Sequence, residues 1–376
     1  MIEPTFVAPA LRETSAYRPQ PRNGAAGSPP RQSQRADRSS VSNEASAPQS
    51  AMSEPFSSLL GQLRNSFGTT RAEKYEPDAE VAVFDEFRNA DKPGVFTHGE
   101  LVEGRLQEQA GLGDQEVQRF QTNQGGNMQE LEQALSRGDK SALRNYAESN
   151  YTGLLDDTSK ALEELIEDPD SKVRTVNQSQ SMAQGRLAQN IWGKAKGDSQ
   201  FRKNLARSLG FEGEVGDREL AQALGDNLTE TIKNSDKIAE SQKRYDDTSA
   251  RASEEGITHV VTAGNLGGFA DEWERLGVKV GDDFYRSAMI NDHKIAVAAT
   301  DARSSPERPA DFNSPNAGAE LSAPGVEIPV TAQDGAKTTT SGSSLAAPVV
   351  AAAAAKLAKE NPELTPQQIE EILKAG

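Results

Sequence analysis

A mainly parallel β-sheet flanked by helices, an α/β fold, is the class the sequence predicts, and three observations predict it. From about residue 76 onward, short apolar runs alternate with stretches of helical periodicity, the pattern of parallel strands joined by crossover helices. The run Val81-Ala82-Val83-Phe84-Asp85 ends in an acid, which suits a buried parallel strand delivering a carboxylate at its C-terminal end. A chain of 376 residues also has room for one large α/β domain.

The elements follow in chain order. Residues 1–52 are rich in Ser, Pro, Gln, Ala and Arg, with few large apolar groups. Such a segment cannot bury enough surface to offset its chain entropy, so a disordered leader is expected. Residues 53–75 carry Phe56, Leu59, Leu60, Leu63 and Phe67 at helical spacing, a short amphipathic helix suited to docking on the following domain. Residues 76–376 make up that domain. Its strand candidates are 80–85, 172–177, 257–263, 294–299 and 325–330. Its helix candidates include 98–110, 128–148, 156–168, 199–209, 217–233 and 345–359. A last helix is expected over roughly 365–375, where Thr365-Pro366 supplies an N-cap and a first-turn proline. Between about 182 and 250, Trp192, Phe201, Leu205, Leu209, Leu220, Leu224 and Leu228 recur at helical intervals, which predicts an added helical insertion.

The stretch Gly342-Ser343-Ser344-Leu345-Ala346-Ala347-Pro348 places a serine at a loop-to-helix junction among small residues. Taken alone, it reads equally as a serine N-cap before an Ala-rich buried helix. A helix start also offers free N–H groups and a positive dipole end, where negative charge can develop during acyl transfer.

Upstream landmarks break the tie. Gly342 to Pro348 resembles the Gly-Thr-Ser-x-Ala-x-Pro motif of the subtilisin-like serine proteases, the subtilases, with Ser343 for Thr. His259-Val260-Val261-Thr262-Ala263-Gly264-Asn265 is similar to that family's strand and Ala-Gly-Asn turn. Ile295–Asp301, Phe312-Asn313-Ser314 and Ala323-Pro324-Gly325 match further landmarks, so the likeness is nearly continuous over 256–376. Thr97-His98-Gly99-Glu100-Leu101-Val102 resembles the family's His-Gly-Thr-x-Val helix start, with Glu100 in place of Thr.

The resemblance implies a three-layer subtilisin-like fold and a serine endopeptidase. Asp85, His98 and Ser344 would be acid, base and nucleophile, in the subtilisin order Asp, His, Ser. Asp85 and His98 stand 13 positions apart, closer than is usual in the family, which implies a trimmed connection. Of the three histidines, His259 lies in an apolar run and His293 in a polar turn. Only His98 opens a helical pattern near a strand-end carboxylate. Asn265 would donate to the oxyanion. Val173–Ser181 looks like the family strand that pairs with substrate, so Ser179, Gln180 and Ser181, together with Ala263 and Gly264, are expected to bind the peptide. Gln180 and Ser181 replace Leu and Gly there, implying a more polar rim.

Composition narrows the partners. A net charge of −16 argues against nucleic acid. No cysteine is present, and no stretch reaches transmembrane length. Met1 to about Arg38 lacks the apolar core of a secretory signal, so the expected location is the cytoplasm or the exterior by a route using no such signal. The chemistry requires no cofactor or metal. Structural calcium occurs among subtilases, but the acidic stretch Glu163–Asp170 lacks calcium-loop spacing and reads as a solvated helix end. A protein or peptide substrate and a monomer are expected. Two other readings stay open: a catalytically inactive subtilase fold kept for binding, and a narrow-specificity processing protease, which the helical insertion favours.

Overall fold

The computed structural model describes residues 12–13, 78–87, 97–113, 116–122, 125–331 and 337–375. The expected helix over 53–75 lies outside them, as does the leader apart from Arg12–Glu13 (β1), which forms a strand where composition predicts disorder.

The main sheet contains β1, Val81–Asp85 (β2), Val117–Gln121 (β3), Thr175–Gln178 (β4), Thr258–Thr262 (β5), Ile295–Asp301 (β6), Arg308–Pro309 (β7) and Leu321–Pro324 (β8). Its order is β1-β8-β6-β5-β4-β2-β3, with β7 added beside β6. The pairs from β3 through β8 are parallel, and only β1 and β7 run antiparallel to their neighbours. The chain goes from β2 outward to β3, then crosses back to β4 on the other side of β2. Strand order therefore reverses between β2 and β4, and in open parallel sheets ligands bind at the C-terminal ends of strands flanking such a reversal.

Alternation along β2 sorts its side chains to two faces. Val81 and Val83 pack with Val102 and Leu106 of α1 (His98–Ala110) and with the Ala-rich helix α9 (Ser343–Glu360). Ala82 and Phe84 pack on the other face against Leu162 and Leu165 of α3 (Ala142–Glu167) and Ala252 of α7 (Asp236–Glu254). Small side chains let α9 lie close along the sheet, where Ala346, Val350, Ala351 and Ala354 are buried. The closing helix α10 (Pro366–Ala375) adds Ile369 and Leu373 to the same core.

Four expected strands overlap β2, β4, β5 and β6. The fifth, 325–330, overlaps β9 (Ile328–Thr331), which pairs with β10 (Lys337–Thr340) instead of joining the sheet; β8, just upstream, takes the sheet position. The strand β3 escaped the sequence reading. The helix expected over 128–148 is two, α2 (Met128–Ser136) and the start of α3, separated by the turn around Gly138. Residues 149–155, expected between helices, continue α3 to Glu167.

The region about 182–250 holds α4 (Gln184–Gly197), α5 (Ser199–Ser208), α6 (Asp217–Lys233) and most of α7. Their core reaches further than the sequence suggests. It includes Leu131 and Leu135 of α2, Tyr146 and Leu154 of α3, and Trp273 of α8 (Gly267–Leu276). No helix among the described residues is long and apolar enough to cross a membrane.

Candidate active site

Asp85 ends β2, fully buried, while His98 opens α1 with its ring 45% exposed. Their side chains meet at 2.7 Å, Asp85 Oδ1 to His98 Nδ1, so the short connection closes the pair. Asp85 Oδ1 also accepts from the Glu86 N–H at 2.7 Å. The nearby carboxylate holds the His98 imidazolium above its ordinary 6.5, against burial and against the Arg186 cation, both of which lower it.

Local chemistry fixes where His98 sits. Thr97 caps α1 with a full capping box: its hydroxyl accepts from the Glu100 N–H, and Glu100 Oε2 accepts from the Thr97 N–H at 2.8 Å. Glu100, the departure from the family motif, thus anchors the helix start. Gly99 N–H donates to Glu86 O at 3.0 Å. A Cβ at Gly99 would come within 2.8 Å of that carbonyl and 2.7 Å of Phe87 Cε1, so only glycine allows the strand end and helix start to approach this closely.

Ser344 occupies the first turn of α9 and faces the same cleft. Pro348, four residues on, has no N–H to give the Ser344 carbonyl. Ser179 supplies the missing donor, its hydroxyl reaching Ser344 O at 2.9 Å. The end of β4 is thereby tied to the nucleophile candidate.

Asn265 is oriented by Ser343. Its Oδ1 accepts from the Ser343 N–H at 2.9 Å and from the Ser343 hydroxyl at 2.7 Å. The Ser343 oxygen in turn accepts from Thr262 Oγ1 and from the Gly264 N–H. With Oδ1 committed, the Asn265 Nδ2 donors remain for the cleft. A Cβ built on Gly342 would lie 2.9 Å from Ser344 Oγ, 3.1 Å from Asn265 Nδ2 and 3.7 Å from Ser344 N. Hydroxyl, side-chain amide and backbone N–H thus surround one small space, the arrangement an oxyanion hole needs.

The landmark Phe312-Asn313-Ser314 supports the Asn265 turn from below. Ser314 N–H donates to Gly264 O at 3.0 Å, and Ser314 Oγ accepts from the Leu266 N–H at 3.1 Å.

The cleft has a volume of about 520 Å³ and brings together Asp85, His98, Ser179, Gln180, Ser181, Gly264, Asn265 and Ser344. Ala263 is a correction: it is buried in the sheet, its N–H bonded to Val297 O, and it does not line the cleft. Gln180 lines it but is buried, with its amide engaged by Thr122 across β4 and β3, so much of its polarity is spent inside the fold. His259 is buried apart from the site and accepts from Lys294 Nζ at 2.6 Å. Thr122, Gly125, Gly126 and Arg186 line the cleft and were not singled out in the sequence. The strand β3, Val117-Gln118-Arg119-Phe120-Gln121, carries Thr122 to its place and shows neither a continuous apolar run nor a strict alternation in the sequence. Nothing local in the sequence marks Arg186. Among the described residues, no three or more His, Asp or Glu side chains group as metal ligands.

The model of the subtilase family matches residues 147–375, a span that contains Asn265 and Ser344 and begins after Asp85 and His98. No curated protein matches the chain. Similar solved structures include a lanthipeptide protease (15% identity, 79% of each chain, TM-score 0.41). Sphericase is another (16% identity, 79% of this chain and 83% of that one, TM-score 0.40). A prenylagaramide maturation protease is a third (15% identity, 78% and 82%, TM-score 0.38).

Proposed function

The chain belongs to the subtilase family, and on that premise we propose that it is a serine endopeptidase working through Asp85, His98 and Ser344, with a restricted range of protein or peptide substrates. The observation that carries this reading is the 2.7 Å contact of Asp85 with His98 at a cleft shared with Ser344 and Asn265.

A serine hydroxyl is a weak nucleophile at neutral pH and needs a base. In this reading His98 Nε2 takes the Ser344 proton as Oγ attacks the scissile carbonyl. Asp85 holds the imidazole with Nδ1 protonated and stabilises the imidazolium that forms. The negative charge on the carbonyl oxygen is received by Asn265 Nδ2 and the Ser344 N–H at the start of α9. His98 then gives its proton to the leaving amine, and water repeats the sequence to release the acyl group. Restriction of substrate is supported by the helical layer beside the cleft: Arg186 enters it from α4, and Gly126 packs against Tyr146 and Asn150 of α3.

The test is labelling of the purified protein by a fluorophosphonate probe, beside Ser344→Ala and His98→Ala. Labelling of wild type alone is expected. Absence of labelling in folded wild type would overturn the reading and favour an inactive fold kept for binding.

A further inference from the structure

Arg186 lies in the first turn of α4 and lines the cleft together with Ser179, Gln180 and Ser181. Guanidinium groups in such partly buried places are ordinarily paired with a carboxylate. Here, among the described residues, no carboxylate oxygen comes within 4.0 Å of it. Its one hydrogen bond is from Nη1 to Gln189 Oε1 at 3.3 Å, and the phenol of Tyr146 lies beside it. Tyr146 is held in turn by Asn150 and Asn190, so neutral polar groups frame the cation without neutralising it. Burial pushes the guanidinium below its ordinary range, the cost of a cation with no counter-charge. Two acids line the cleft: Asp85, which is taken by His98, and Glu86, whose carboxylate is not within ion-pair distance of Arg186.

A guanidinium has five N–H donors in a planar fork that fits a carboxylate with two parallel bonds. Four of the five have no partner among the described residues. From this geometry we infer that Arg186 determines specificity, receiving the carboxylate of a Glu or Asp in the peptide segment lying along Ser179–Ser181. The inference rests on the peptidase reading above. The substrate class becomes an acidic peptide, even though the chain itself carries a net charge of −16. One half-buried cation in the cleft offsets the general repulsion at the single position where it bonds the substrate.

The experiment uses the full chain and a library of peptides with every residue sampled at the four positions before the cleaved bond, followed by matched Glu and Gln peptides at the preferred position. Wild type is expected to favour Glu over Gln by roughly 10- to 100-fold in kcat/KM, as for hydrogen bonds to a charged partner. The difference should lie mainly in KM. Arg186→Met should bring the ratio to within about threefold of one, and Arg186→Lys should restore part of it, since a point charge keeps attraction but loses the fork. Melting temperatures show whether each variant is folded; the ratio is read within one variant, so a change in its absolute rate does not affect it. Fluorophosphonate labelling is run in parallel. Labelled wild type with no acidic preference, or a preference that survives in Arg186→Met, would overturn the inference and leave the peptidase intact. Absent labelling with no cleavage would remove both.

Discussion

Gly342→Ala perturbs the proposed oxyanion hole without replacing any hydrogen-bonding side chain. The added methyl would sit 2.9 Å from Ser344 Oγ and 3.1 Å from Asn265 Nδ2. An oxyanion bonded to Asn265 Nδ2 and the Ser344 N–H must lie about 2.7–3.1 Å from each, so the methyl, 3.1 and 3.7 Å from these nitrogens, crowds the same volume. Losing one such donor slows turnover by about 10²–10³; that range is known for subtilisin, itself a subtilase. Here access to both donors is obstructed and the Ser344 hydroxyl must rotate away, so a fall in kcat of about 10³, or roughly 4 kcal/mol, is expected. The fold should tolerate the change. Gly342 has φ 167, extended backbone open to any residue, and its N–H bond to Gly325 O at 2.8 Å is unaffected. Cleavage of the preferred peptide and the rate constant for fluorophosphonate labelling measure the loss, with thermal melts as control. Labelling within threefold of wild type, or a loss that tracks an unfolded fraction, would refute the argument.

Other consequences can be checked alongside. His98 must be neutral to act as base, and Asp85 raises it above 6.5, so the acid limb of the rate profile should fall above pH 6.5. Asp85→Asn should lower kcat by about 10⁴ and move that limb down; an unmoved limb in a pH–rate series would remove Asp85 from its assigned role. Ser179→Ala leaves the Ser344 carbonyl without a donor, because Pro348 has none to give, and should cost about 1–3 kcal/mol in denaturant midpoints together with some kcat. The buried pair His259 and Lys294 sets a pH dependence of stability. Burial first and Lys294 second hold folded His259 well below 6.5, so the unfolded chain binds the extra proton. Stability should therefore fall as pH drops below about 6.5, by up to about 1.4 kcal/mol per pH unit from this group. Replacing the pair together, His259→Phe with Lys294→Met, should flatten that part of the urea-midpoint profile relative to wild type.

Local sequence carried a large part of the architecture. Short apolar runs marked β2, β5 and β6, because strands covered on both faces have little polar side to show, while β4, Thr-Val-Asn-Gln, was legible through its likeness to the family strand. The junction at Ser344 was legible because small residues, a helix start and Pro348 lie within seven positions. Thr97 and Glu100 could have been read as a capping box, but comparison with the family motif hid it: the glutamate looked like a departure until its carboxylate was seen on the Thr97 N–H. The error at Ala263 has a simple origin. It neighbours Gly264 in the turn, yet its backbone is still paired with β6, and alternation turns its side chain into the protein.

By itself, the sequence determined the fold class and pointed to Asp85, His98 and Ser344 as candidates in that chain order, since periodicity and short motifs are properties of neighbours along the chain. Tertiary structure decided the rest. It brought Asp85 to His98 across the end of a sheet and turned Asn265 by way of Ser343. It gave the Ser344 carbonyl to Ser179, 165 positions away. It also left Arg186 in the cleft without a counter-charge. Each of these depends on which groups meet after strand order reverses between β2 and β4, and hydrogen bonds and desolvation act through space, where sequence separation leaves no trace.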